Sequence, residues 1–160
     1  MISQSLRDET RARIFSLTAD ERDEIALMAT LCCELYHSCE GYDWVGFYRV
    51  TGAEMLKIGP YQGGHGCLTI PFSKGVCGAA ARTREIQRVD DVHQFAGHIA
   101  CSSTTLSEIV LPVYGAGGRL LGVLDIDSDQ PAFFDKAQSD WLEEILSHCF
   151  KDILPSAPHA

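Results

Sequence analysis

The chain has 160 residues, 46% of them apolar and 22% charged, with a formal net charge of −9; that suits one domain with an ordinary core and no need of staples. The acid excess speaks against nucleic acid and anionic membranes as partners, because phosphate binding needs clustered Lys and Arg. No apolar run is long enough to cross a bilayer and residues 1–9 lack the apolar centre of a signal peptide, so a cytoplasmic location is expected, with seven cysteines held as thiols rather than as a fixed disulfide framework.

Residues 19–39 read as a helix. Ile25, Met28, Ala29, Cys32 and Leu35 recur at helical spacing, Thr18 with Glu21 suggests a capped start, and Gly41 follows the end. Cys32, Cys33 and Cys39 then act as small apolar filler. Asp43–Val50 reads as a strand, Thr51–Glu54 as a hairpin turn and Met55–Tyr61 as the returning strand. Residues 63–66 form a glycine-rich loop, Gly75–Thr83 a short helix and Ile86–Val89 a short strand. Residues 90–105 make a long polar loop, of the kind that carries function in compact domains. Ser107–Tyr114 and Leu120–Asp127 are two strong strands joined across Gly115–Gly118. Phe134–Phe150 closes the chain as a helix with Trp141, Leu142, Ile145, Leu146 and Cys149 on its apolar face, and residues 155–160 are expected to be loose. This order predicts an α+β fold: an antiparallel sheet with the terminal helices packed on one face.

Cys67, Cys77 and Cys101 stand apart from the other thiols. They are separated by ten and twenty-four residues, which matches no paired zinc spacing, and each lies in loop-like sequence where a thiol can reach solvent. His65, His93 and His98 flank them without forming a ligand pair, so no metal is expected and the histidines read as loop residues bonded to backbone. Alternation along the last strand puts Val123, Asp125 and Asp127 on one face and Gly122, Leu124 and Ile126 on the other. Glu108 meets Asp127 if the hairpin pairs symmetrically about Gly117. Three carboxylates on one sheet face suggest a pocket, since Asp is depleted in structural strands. Trp44, Gly46 and Tyr48 share a face of the first strand; core packing with a bulge at Gly46 is the plainer reading, and a slot between two rings for a small sulfur-bearing group the functional one. The start of the 75–83 helix should lower the pKa of Cys77, which on physical grounds alone makes that thiol the nucleophile.

The segments Trp44–Tyr48, Gly59–Gly63, Gly75–Gly78, Asp91–Phe95, Gly97–Cys101, Ser107–Val110 and Gly122–Ser128 together resemble the free methionine-(R)-sulfoxide reductases, a family of stand-alone GAF domains. The likeness covers roughly residues 20–150. It implies a single GAF-like domain over 1–160, with an ordered core about 18–152 and a ligand pocket on the sheet face away from the terminal helices. It also implies that Cys101 is the nucleophile, Cys67 the resolving thiol and Cys77 an auxiliary one. Glu108, Asp125, Asp127, Trp44 and Tyr48 would line the substrate pocket, with Glu108 or Asp127 as the proton donor. The implied reaction turns free L-methionine-(R)-sulfoxide into methionine without a cofactor. A Cys101 sulfenic acid and a Cys67–Cys101 disulfide follow, and thioredoxin restores the thiols. Members of the family often pair through their helices, which suggests a homodimer. The chain departs from the pattern at Ala96, where proline is usual, and at Gly66, where a bulkier residue is common; both are expected to loosen their loops. Two other functions compete: a GAF sensor for a small ligand, and a peroxide-sensing thiol switch. Reductase activity with free methionine sulfoxide separates the enzyme from both.

Overall fold

The computed structural model describes residues 2–99 and 101–154. Its elements are α1 (Gln4–Thr18), α2 (Glu24–Ser38), β1 (Trp44–Gly52), β2 (Met55–Gln62), β3 (Thr69–Pro71), α3 (Gly75–Thr83), β4 (Gln87–Val89), β5 (Ser107–Tyr114), β6 (Leu120–Ser128) and α4 (Lys136–Phe150). The strands form one antiparallel sheet in the order β3-β2-β1-β6-β5-β4. Two layers of apolar side chains cover its faces. On one, α2 and α4 pack onto Val45, Phe47, Ile109, Leu111, Leu124 and Ile126, and α1 packs on those two helices. On the other, α3 packs onto Tyr48, Leu56, Ile70, Val110 and Val123. The α+β architecture expected from the element order is therefore present, terminal helices on one face included. Residues 155–160 lie outside the described residues.

Helix α1 has no counterpart in the periodicity reading. Its buried positions are Arg7, Thr10, Ile14 and Thr18, not an apolar stripe. Polar bonds to distant segments hold it instead. The Trp141 indole donates to the Arg7 carbonyl at 3.0 Å, and Arg11 and Arg13 pair with Glu144 and Glu34 at 2.8 and 2.7 Å. Thr18 ends this helix rather than capping the next, and its hydroxyl donates to the Ile14 carbonyl. The cap of α2 is Asp23, whose carboxylate accepts from the Ala26 N–H at 2.8 Å. The helix consequently starts five residues later than expected and presents a rotated face. Leu27, Met28, Leu31, Cys32 and Leu35 are buried, whereas Ile25 and Ala29 face solvent. Cys32 and Cys39 are core filler as expected; Cys33 is exposed. Strand β3, Thr69–Pro71, likewise has no counterpart in the sequence reading.

Candidate active site

Strand pairing assembles the acidic cluster. In the β5–β6 hairpin Glu108 sits directly opposite Asp127 and Val110 opposite Asp125. Strand β1 adds the third layer, with Trp44 opposite Asp127 and Gly46 opposite Asp125. Glu108 and Asp125 are buried, Asp127 partly so. Helix α3 lies over this face and lowers Cys77 into the cluster. The loop between β4 and β5 then closes across the start of α3. The Gly75 N–H donates to the Gly97 carbonyl at 3.1 Å, and Ile99 packs on Gly75. Gly75 holds φ +68°, a conformation that favours glycine at the sharp entry to the helix.

The cleft so formed is small, about 30 Å³, and is lined by Cys77, Cys101, Glu108, Asp125 and Asp127, with His98 and Thr105 beside them. Cys101 is joined to Cys67 by a disulfide with Cα atoms 5.5 Å apart. Cys67 belongs to the glycine-rich loop after β2, thirty-four residues before its partner. Among the described residues it is the one disulfide; Cys77 keeps a free, buried thiol.

Burial sets the protonation of the cluster. The Glu108 carboxyl is pushed well above the ordinary carboxylate range, first by loss of water and then by the charges of Asp125 and Asp127. Asp127 is raised for the same reasons, burial before the neighbouring acids. Asp125 rises only to about 6, because hydrogen bonds from Cys77 and Glu108 offset part of the burial. Its Oδ1 has no hydrogen-bond partner in the buried site. The Cys77 thiol is itself raised well above its usual range by burial, then by Asp125 and Glu108. The helix-dipole argument for a reactive Cys77 is thus overturned: dehydration and two carboxyls outweigh the start of a nine-residue helix.

The aromatic pair is arranged differently from an open slot. The Trp44 ring folds back over Gly46, where a Cβ would run into it, and stacks on Tyr48 with centroids 5.9 Å apart. A register shift between Gly46 and Tyr48 marks the bulge. The rings lean on the Gly63–Cys67 loop: the Trp44 indole donates to the Gly64 carbonyl at 2.9 Å. A Cβ on Gly66 would come within 2.9 Å of Trp44 and 3.0 Å of the Tyr48 hydroxyl. Gly66 therefore lets the loop press against the rings; it does not loosen it. The Tyr48 hydroxyl is held in its protonated form by burial and by Asp125, Cys77, Asp127 and Glu108.

His65 and His93 are exposed and do not line the cleft, His93 being bonded to Asp91. His98 departs from its expected backbone role. It lines the cleft with Nε2 3.7 Å from Glu108, and burial keeps its pKa low. The chain carries a signal for it only in its place three residues before Cys101. Among the described residues one group has the donor set of a metal site, Cys77, Glu108 and Asp125, whose ligand atoms lie within 4.8 Å of one another. No histidine belongs to it.

A family model described as a GAF domain matches residues 18–149. The free methionine-R-sulfoxide reductase of Escherichia coli is 38% identical over 136 residues, which span 85% of this chain and 81% of that one. Two solved structures superpose closely. The free methionine-R-sulfoxide reductase of Neisseria meningitidis in complex with its substrate has TM-score 0.84 and 39% identity over 92% of this chain and 89% of that one. The reduced form of the Staphylococcus aureus fRMsr has TM-score 0.85 and 38% identity over 89% and 92%.

Proposed function

We propose, for a chain that belongs to the free methionine-(R)-sulfoxide reductase family of GAF domains, that it reduces free L-methionine-(R)-sulfoxide to methionine. The observation that carries this reading is the Cys67–Cys101 disulfide at the edge of a buried carboxyl cluster. Sulfoxide reduction needs a nucleophile for sulfur and a proton for the departing oxygen, and both are at hand.

The Cys101 thiolate attacks the sulfoxide sulfur while Glu108 delivers a proton to the oxygen. Methionine leaves and Cys101 becomes a sulfenic acid. Cys67 condenses with it, releasing water and leaving the disulfide. Glu108 suits the acid role better than Asp127: it is the more buried of the two, and loss of water with two acidic neighbours pushes its carboxyl well above the ordinary range, toward the protonated form. Asp125, ionised above pH of about 6 with Oδ1 unpartnered, suits the substrate ammonium. Asp127 completes the acidic wall. Trp44 and Tyr48 form the flank beside the Cys67 loop, against which the methylthio group would rest. Cys77 stays an auxiliary thiol. Thioredoxin returns the disulfide to thiols by exchange. The whole chain acts as one domain in the cytoplasm, and pairing of two copies through the helices is the assembly we assign; among the described residues no helix is long and apolar enough to cross a membrane.

The test is a thioredoxin-coupled NADPH oxidation assay with separated epimers of free methionine sulfoxide. The R epimer alone should be reduced, and Cys101→Ser should abolish turnover. Near-normal turnover by that variant, or equal rates on peptide-bound sulfoxide, would refute the assignment.

A further inference from the structure

Sulfoxide reduction at this site has to balance its protons. Cys101 must lose a thiol proton before it attacks, and Glu108 gives one up as the oxygen departs. A Glu108 carboxylate left behind sits beside Asp125 and Asp127, in the surroundings that push its carboxyl toward the protonated form. The proton taken from the thiol is the one that Glu108 needs back, and a base has to carry it.

His98 is placed for that task. Its Nε2 lies 3.7 Å from a Glu108 carboxylate oxygen, and it is the one basic side chain among the described residues lining the cleft. Its side chain is 17% exposed against 7% for Glu108, so it reaches further toward the rim. Cys101 lies there, half-exposed, three residues along the same loop. The backbone around His98 is fixed on both sides. The Gly97 carbonyl accepts from the Gly75 N–H, the His98 N–H donates to the Phe95 carbonyl, both at 3.1 Å, and Ile99 packs on Gly75. The titratable groups around the ring are Glu108 from β5, Asp125 and Asp127 from β6, Cys77 from α3, and His93 and Cys101 on its own loop. Burial, and then His93, lowers the His98 pKa, which keeps the imidazole neutral at pH 7 with a lone pair to offer. The 3.7 Å gap is longer than a hydrogen bond, but this is the disulfide form, with the chemistry already over. Such contacts tighten when substrate is bound.

We infer, on the reductase reading, that His98 takes the proton of the Cys101 thiol and hands it to Glu108. The neutral imidazole first accepts the thiol proton, leaving a Cys101 thiolate and an imidazolium. The thiolate bonds to the sulfoxide sulfur, the Glu108 proton goes to the oxygen, and methionine leaves with Cys101 as the sulfenic acid. The two electrons that reduce the sulfoxide come from the Cys101 sulfur. The imidazolium then gives its proton to the Glu108 carboxylate, and both groups are back in their starting forms. The cleft keeps one net charge throughout, which suits a site walled by three carboxyls. Asp127 is the rival, since it sits directly opposite Glu108. Burial and acidic neighbours drive it toward its protonated form, so it is a poor acceptor for a thiol proton. His98 acts through Cys101 and Glu108 and does not hold the substrate.

The experiment takes the full chain, reduced and freed of reductant, through two measurements over about pH 5 to 9. The first is single-turnover formation of methionine from free methionine-(R)-sulfoxide. In the wild type the rate rises as His98 loses its proton and levels off by pH of about 7. His98→Gln should lower the neutral rate on the order of a hundredfold and leave the half-saturating sulfoxide concentration unchanged. The plateau should give way to a climb that continues to pH of about 9, where solution base removes the thiol proton unaided. The second is alkylation of Cys101 by iodoacetamide without substrate, read by peptide mass spectrometry. His98→Gln should shift that profile to higher pH. His98→Asn, shown to be folded by its thermal unfolding midpoint, should reproduce both changes. A rate lowered equally at every pH, with wild-type profiles in both measurements, marks a structural role and overturns the inference. So does a rate that does not fall. Absence of methionine from the wild-type protein instead removes the reductase reading, and the alkylation profile then still decides whether His98 serves Cys101.

Discussion

Asp125 offers a direct physical check on the site. In the fold its carboxyl titrates at about 6, against 3.8 for the free group. Below the lower value both folded and unfolded chains bind the proton, and the residue has no effect on stability through ionisation. As pH rises from there, the unfolded chain ionises first, so stability falls until the folded group ionises too. The difference of about two units corresponds to about 3 kcal/mol, lost between roughly pH 4 and 7 and constant above. Asp125→Asn removes this ionisation while keeping the shape. The variant's offset from swapped hydrogen bonds does not depend on pH, so the quantity to read is the slope. Urea unfolding of the oxidised protein from pH 4 to 8 should show the variant gaining about 3 kcal/mol on the wild type across that range. Removal of the Asp125 charge also eases the ionisation of Glu108 and Asp127, which acts in the same direction. Parallel curves for the two proteins would refute the buried, dehydrated carboxyl on which the chemistry depends.

Other expectations follow from neighbouring contacts. Cys67→Ser should give a first stoichiometric burst of methionine in a quenched single-turnover experiment but poor thioredoxin-driven cycling, since only the sulfenic acid step survives. Gly66→Val should destabilise by about 1–3 kcal/mol in thermal unfolding, because the new side chain meets Trp44 and Tyr48 at less than van der Waals contact; thiol titration should show slower closure of the disulfide. Leu124→Ala, at a fully buried position between β6 and the terminal helices, should cost about 2–5 kcal/mol in urea unfolding without altering the pH dependence of turnover.

The sheet was legible wherever alternation is strong. Leu124 and Ile126 face the terminal helices while Val123 and Asp125 face the cleft, because a two-residue period leaves no other choice. Symmetric pairing about Gly117 was enough to bring Glu108 onto Asp127. Helix α1 was not legible, since Arg7 and Thr18 are tied to Trp141 and Cys149, more than a hundred residues away, which no local pattern encodes. The cap of α2 shows the same limit. Thr18-x-x-Glu21 and Asp23 are both acceptable local starts, and the packing of Leu27 and Leu31 against the sheet decides between them. The fold of the Trp44 ring over Gly46 likewise depends on the neighbouring strand and loop, not on the order Trp-Val-Gly-Phe-Tyr.

The choice between Cys77 and Cys101 turns on the same distinction between local and assembled effects. Taken alone, a cysteine in the first turn of a helix is a candidate thiolate. Assembly reverses that. Once α3 is laid on the sheet, Cys77 loses water and faces Asp125 and Glu108, so a negative charge there would sit among acids with no cation to offset it. A thiol in that position keeps its proton and donates to Asp125, which helps hold Asp125 near 6 while Glu108 is driven higher. Cys101 lies at the rim, half-exposed, on a loop that already reaches Cys67. In the proposed mechanism nucleophilic attack there would develop charge next to water and beside Glu108, whose proton burial helps to hold, and the sulfenic acid it leaves would have Cys67 within bonding reach. On the proposed reading the buried cysteine tunes the acids, and the rim cysteine carries the electrons.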